Sequence, residues 1–184
     1  MAECFEDARG RIMTKGVAKG AVAPLAFGRS KIEGLAHSVI EVNRDVLSQR
    51  GFSVTAGSST FEGGQFDQVV SVASSSFSTY FGVTPSDRFV DLFEQMSVFA
   101  FNLAKDHIFT DGNKRTTVLV SLALVRIGGV FLDIEDSEIP EENEVYKWIE
   151  DLVTDSKSKE ELADILRMRA VLDPGSPKGR ADDR

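Results

Sequence analysis

Between Lys105 and Thr116 the chain reads Lys-Asp-His-Ile-Phe-Thr-Asp-Gly-Asn-Lys-Arg-Thr. Nine of these residues, His107 to Arg115, collect an imidazole, a carboxylate (Asp111), an amide (Asn113) and two cations (Lys114, Arg115). An imidazole ordinarily titrates near pH ~6.5, so His107 is a residue type that can take a proton from an attacking hydroxyl. Gly112-Asn113 reads as a helix entry with Asn113 as N-cap. The amides of Lys114, Arg115 and Thr116 are then expected to be unpaired donors at a positive helix end, an anion site that two cationic side chains strengthen. Glycine at 112 lets backbone approach a phosphate with no Cβ in the way. Asp111 beside it is the residue type that holds Mg²⁺, an ion usually bound by one or two carboxylates together with substrate phosphates. Together these parts describe phosphate-group transfer, in which positioning and charge neutralisation do most of the catalysis.

Each residue also has a plainer reading. A histidine at a helix end caps it, Asp-Gly-Asn makes an ordinary turn, and Lys-Arg can be a solvated pair. The string is no Walker A loop, since the first glycine and the four-residue spacer are missing.

The elements that must position this stretch are helical. Ile32, Leu35, Ala36, Val39, Val42 and Val46 recur at helical spacing and predict an amphipathic helix over 32–47. Residues 51–64, rich in Gly, Ser and Thr, read as a loop or small hairpin flap, and a second helix is expected from Phe66 toward Tyr80. Thr84-Pro85-Ser86-Asp87 reads as a helix start, followed by a helix over 89–104 that is apolar nearly all round and therefore central. A helix over 114–127 reads as equally central and ends at Gly128-Gly129. Two more are expected over 140–151 and 158–168, the last opened by a Ser158…Glu161 capping box, and a strand is indicated near 131–134. The expectation is an all-α bundle of about six helices over 29–171. Residues 1–28 read as an extension of unassigned structure and 172–184 as a flexible tail.

The motif His107-Ile108-Phe109-Thr110-Asp111-Gly112-Asn113-Lys114-Arg115 resembles the signature of the Fic/Doc (Fido) family, H-x-F-x-(D/E)-(G/A)-N-(K/G)-R. The flanking apolar helices and the Gly-Gly-Val-Phe exit are similar too. Most adenylyl-transferring members carry proline after the histidine and glycine before the arginine. Ile108 and Lys114 stand there instead, which points to the Doc (death on curing) toxin branch. The resemblance implies ATP- and Mg²⁺-dependent modification of a protein hydroxyl. For Doc this is phosphorylation of a threonine in the translation factor EF-Tu (elongation factor Tu), with a small Phd-like antitoxin as partner. For Fic enzymes proper it is AMP transfer. A third reading, from another class, is a catalytically silent binding module. On the resemblance, His107 is the general base and Asp111 the Mg²⁺ ligand. Gly112, Asn113, Lys114 and Arg115 contact phosphate, joined by Thr116 through the helix-start amide named above, and Phe109 anchors the loop. Some members also carry an inhibitory (S/T)-x-x-x-E-(G/N) helix. Glu62 fits that pattern and Glu33 fits it in part, although both sit at capping-box spacing from a serine.

Composition bounds the rest. The chain has 184 residues, enough for one substantial core, with 42% hydrophobic and 27% charged residues. A formal net charge of −8 argues against a general nucleic-acid binder. One cysteine and two histidines exclude a disulfide framework and a multi-histidine metal centre. No uncharged run reaches a membrane-spanning length, and the acidic start is unlike a secretory leader, so the expected setting is the cytoplasm without membrane or nucleic-acid partners.

Overall fold

The computed structural model describes residues 3–6, 12–49, 59–134, 137 and 142–172. Among them are seven helices: α1 (Arg29–Gln49), α2 (Ser59–Phe77), the four-residue α3 (Pro85–Arg88), α4 (Leu92–Lys105), α5 (Asn113–Ile127), α6 (Glu144–Val153) and α7 (Lys159–Arg169). Four short strands, β1 (Glu3–Glu6), β2 (Ile12–Lys15), β3 (Val130–Leu132) and β4 (Ala170–Leu172), form one antiparallel sheet in the order β1-β2-β4-β3. The fold is the expected helical bundle, with six longer helices and a small sheet at one side.

α4 is the hub and packs against α2, α5, α6 and α7, while α1 lies against α2 and α5. Its all-round apolar surface explains that position: Phe93, Met96, Phe99 and Leu103 are buried together with Gln95 and Ser97. Phe99 meets Phe77 of α2, which stacks on Phe27, at centroid separations of 5.1 and 5.0 Å. Several starts differ from expectation: α1 opens at Arg29 rather than 32, and α6 opens at Glu144, behind the N-cap Asn143, rather than at 140. Thr84 and Asp87 close a capping box on α3 alone, whereas α4 is opened by Asp91, whose carboxylate accepts from the amides of Phe93 and Glu94. α2 begins at Ser59 rather than Phe66, so the loop-or-hairpin reading of 51–64 is corrected over 59–64. Its remainder, 51–58, lies outside the described residues. The Ser158…Glu161 capping box forms as expected.

Residues 16–28 are a strap laid along the bundle. The Gly16 and Val17 amides donate to Ala170 and Arg167 carbonyls, and Leu92 donates to Val22. The buried Gln95 amide pairs with both backbone groups of Leu25 at 2.7 Å and donates to Ser76 O at 2.9 Å. α5 is less central than expected: Val118, Val120, Leu124 and Val125 are buried, but Leu119 and Ile127 face solvent. The tail beyond Leu172 lies outside the described residues.

Candidate functional site

The α4–α5 connection, residues 106–112, carries the motif. α4 ends with Asp106 as C-cap, its amide donating to Asn102 O, and the next residue, His107, turns left-handed at φ +48°. That is the position after a helix where glycine is usual. A non-glycine residue there costs about 1–2 kcal/mol. The His107 ring is exposed. The plainer reading is met in part, since His107 does occupy the terminating position, but its ring is left at the surface. Ile108 and Phe109 then plunge into the core, each 4% exposed, and pin the loop from below.

Asn113 ties the loop into a ring. Its Oδ1 accepts from the Phe109 amide at 3.0 Å, and its Nδ2 donates to the Phe109 carbonyl at 2.7 Å. This displaces the N-cap from the expected residue. Gly112, left-handed at φ +79°, is the N-cap, and Asn113 is the first helical residue. The consequence reaches Thr116, whose amide donates to Gly112 O at 2.9 Å and whose side chain is fully buried. The Thr116 amide is therefore already spent within the helix, and its side chain is turned into the core. The donors without an intrahelical partner are the amides of Asn113, Lys114 and Arg115, one residue earlier than expected. A second adjustment concerns Gly112, whose own amide donates to Asp111 Oδ1 at 2.6 Å and is available to a ligand only when that carboxylate turns away.

The two cations behave differently. Lys114 Nζ pairs with Glu150 Oε1 of α6 at 2.8 Å and lies 5.9 Å from the Tyr146 ring centroid. The hydrogen bond to Glu150 holds the ammonium above its usual pKa range. The acidic 133–151 stretch, a solvated face by composition, thus supplies a partner to the motif. Arg115 has no such partner: its Nε is buried with no acceptor, and no carboxylate pairs with its guanidinium among the described residues. A buried N–H left unbonded costs about 1–3 kcal/mol.

Three residues that sequence reasoning missed hold this loop. Asn43 of α1, 5% exposed, donates from Nδ2 to Asp111 O at 3.0 Å and to Thr116 Oγ1 at 3.1 Å. Gln65 of α2 donates to Ile108 O at 3.3 Å. Glu150 is the third. Only Asn43 left a trace in the sequence, as a polar residue inside the apolar stripe of α1.

The structure does not bring Glu33 to the site. Glu33 pairs with Arg29 at 2.8 Å, one turn away on the same helix. It precedes Asn43 by ten residues, roughly 15 Å along α1 at the usual rise. Ser30 lies inside α1, which starts at Arg29, so the expected Ser30…Glu33 cap has no helix end to serve. The Glu62 side chain lies outside the described residues. His37 is exposed with its ring 4.6 Å from that of Phe66, a packing contact between α1 and α2. No group of three or more His, Cys, Asp or Glu among the described residues is placed to hold a metal ion, and no helix among them is long and apolar enough to cross a membrane.

Residues 35–125, about half of the chain, match the family described as the Fic/DOC family. No curated protein and no solved structure matches.

Proposed function

We propose, taking residues 35–125 as a Fic/DOC-family segment, that this chain transfers a phosphoryl group from ATP to a protein hydroxyl. The target that the likeness to Doc implies is a threonine of elongation factor Tu, with a small antitoxin as binding partner. The family match supports the coarser statement, an enzyme that modifies proteins with a nucleotide.

The observation that carries the phosphate chemistry is Arg115. Its buried Nε has no acceptor among the described residues, and it stands in the first turn of a helix whose Gly112 start supplies no capping side chain. A guanidinium beside free helix amides is matched by a phosphate, which accepts from both. Asn113 keeps one side-chain N–H for the same ligand, because the other is spent on Phe109.

In the proposed step the target hydroxyl oxygen bonds to the γ-phosphorus, the bond from that phosphorus to the β,γ-bridging oxygen breaks, and ADP departs. His107 accepts the hydroxyl proton. Arg115 and the first-turn amides of α5 steady the phosphate oxygens where charge builds. Asp111 would hold Mg²⁺, and a single carboxylate fits an ion that arrives with the nucleotide. When bound, that ion neutralises phosphate charge. The preference for the γ- over the α-phosphate rests on position 114. Glycine there leaves room deep in the nest, whereas a lysine adds the bulk of a side-chain stem beside it. Because Glu150 already pairs with the ammonium, bulk rather than charge decides.

ATP labelled separately at the α and γ positions tests this. We expect protein labelling from the γ position only, reduced at least ~100-fold in His107→Ala. Labelling from the α position alone would replace the kinase reading with AMP transfer. No labelling from either would leave the silent binding module.

A further inference from the structure

We infer that Asn43, far from the motif in sequence, is a positioning residue that sets the phosphate nest. The inference rests on the reading of residues 107–115 as a nucleotide site. Asn43 is the one buried polar residue among the described side chains of α1, and a buried amide must be hydrogen-bonded to be tolerated. Its Nδ2 spends both hydrogens on the two sides of the nest: one on the Asp111 carbonyl, at the peptide leading into Gly112, the other on Thr116 Oγ1, in the first turn of α5. A single side chain therefore clamps the entering strand of the loop to the helix that follows it.

The same amide sets the room at Gly112. A Cβ built there would stand 2.9 Å from Asn43 Nδ2 and 3.2 Å from Val46 Cγ1. α1 is pressed against the loop so closely that only glycine fits, and the left-handed φ of +79° is what turns the chain into α5 at that point. Where Gly112 points decides where the amides of Asn113, Lys114 and Arg115 converge. Asn43 touches no ligand in this account. It acts through the Asp111–Gly112 peptide and through Thr116. This gives Thr116 a role that contact with phosphate cannot, as the buried acceptor on which Asn43 is braced.

A residue that only stabilised the fold would lower the melting temperature and leave nucleotide affinity alone. A positioning residue moves affinity even where the fold survives. The test compares wild type, Asn43→Ala and the isosteric Asn43→Asp, which keeps the volume and removes both donors. Val39→Ala, at a fully buried site on the same helix, is the packing control. Thermal unfolding and the KM and kcat for Mg·ATP are measured for each. We expect both Asn43 variants to raise KM for ATP about 10- to 100-fold, with kcat at saturation changed far less. Val39→Ala should lose stability and keep its KM within about twofold of wild type. If Asn43→Ala does not fold, Asn43→Asp carries the comparison. A folded Asn43 variant with wild-type KM overturns the inference alone. A wild-type chain that takes up no Mg·ATP overturns the nucleotide reading and this inference with it.

Discussion

Gly112 combines a backbone that L side chains rarely adopt with a wall of α1 atoms where its Cβ would stand. A Gly112→Ala change should therefore cost about 1–3 kcal/mol, by the left-handed penalty together with displacement of Asn43 or Val46. Denaturant unfolding measures it, and a loss below ~0.5 kcal/mol would mean that the loop relaxes freely. At this scale much of the site was legible in the sequence, because His107, Asp111, Gly112, Asn113, Lys114 and Arg115 are contiguous and the chain itself brings them together. The hydrogen-bond register was not. Asn113 reads equally well as an N-cap or as a first helical residue, and only its reach back to Phe109 decides between them. Glu150, on α6, shows no sign in sequence of meeting Lys114, since that contact depends on how α6 lies across α5.

Among the elements, α4 is held from its first turn by a buried ion pair. Asp91 is fully buried and accepts from Arg167 Nε and Nη2 of α7 at 2.8 and 2.9 Å, from the Gly20 amide of the strap, and from its own helix. Burial alone would raise the carboxyl's pKa, but the Arg167 guanidinium and the Gly20 and Glu94 amides outweigh it and hold the group below the usual range. Asp91→Ala should cost about 3–5 kcal/mol, because Arg167 is left buried with its main partner gone. The pH dependence has a definite sign. The unfolded chain binds this proton more readily than the folded one, so the contribution is full above pH ~4 and is lost as the pH falls further. Unfolding of wild type and variant across pH 2–7 (a range of about five units) should show the gap between them closing only at the acid end. A gap that instead closes as the pH rises would contradict this. The long helices were legible because their apolar periods are strong. The true start of α4 was not, since Thr84-Pro85-Ser86-Asp87 is the louder signal and belongs to α3. Strands of three or four residues are too short for alternation to register, and their pairing joins opposite ends of the chain.

Across the whole molecule, residues 16–28 bind the start of the chain to α2, α4 and α7, with Gln95 and Asp91 as the two buried polar anchors. Neither anchor could be paired with its partner from sequence, because some seventy residues separate them. The scaffold so braced presents one loop with an exposed imidazole, a carboxylate and an arginine without a counter-ion among the described residues, on a chain of net charge −8. That phosphate binds at this loop is the claim on which the rest depends. Titrating Mg·ATP into ¹⁵N-labelled protein tests it most directly, because the Arg115 Nε–H gives its own resonance. We expect that resonance and the amides of Asn113, Lys114 and Arg115 to move together and saturably, with the Thr116 amide, already bonded to Gly112, moving least. Shifts confined to surfaces away from residues 106–115, with Arg115 unmoved, would contradict the account.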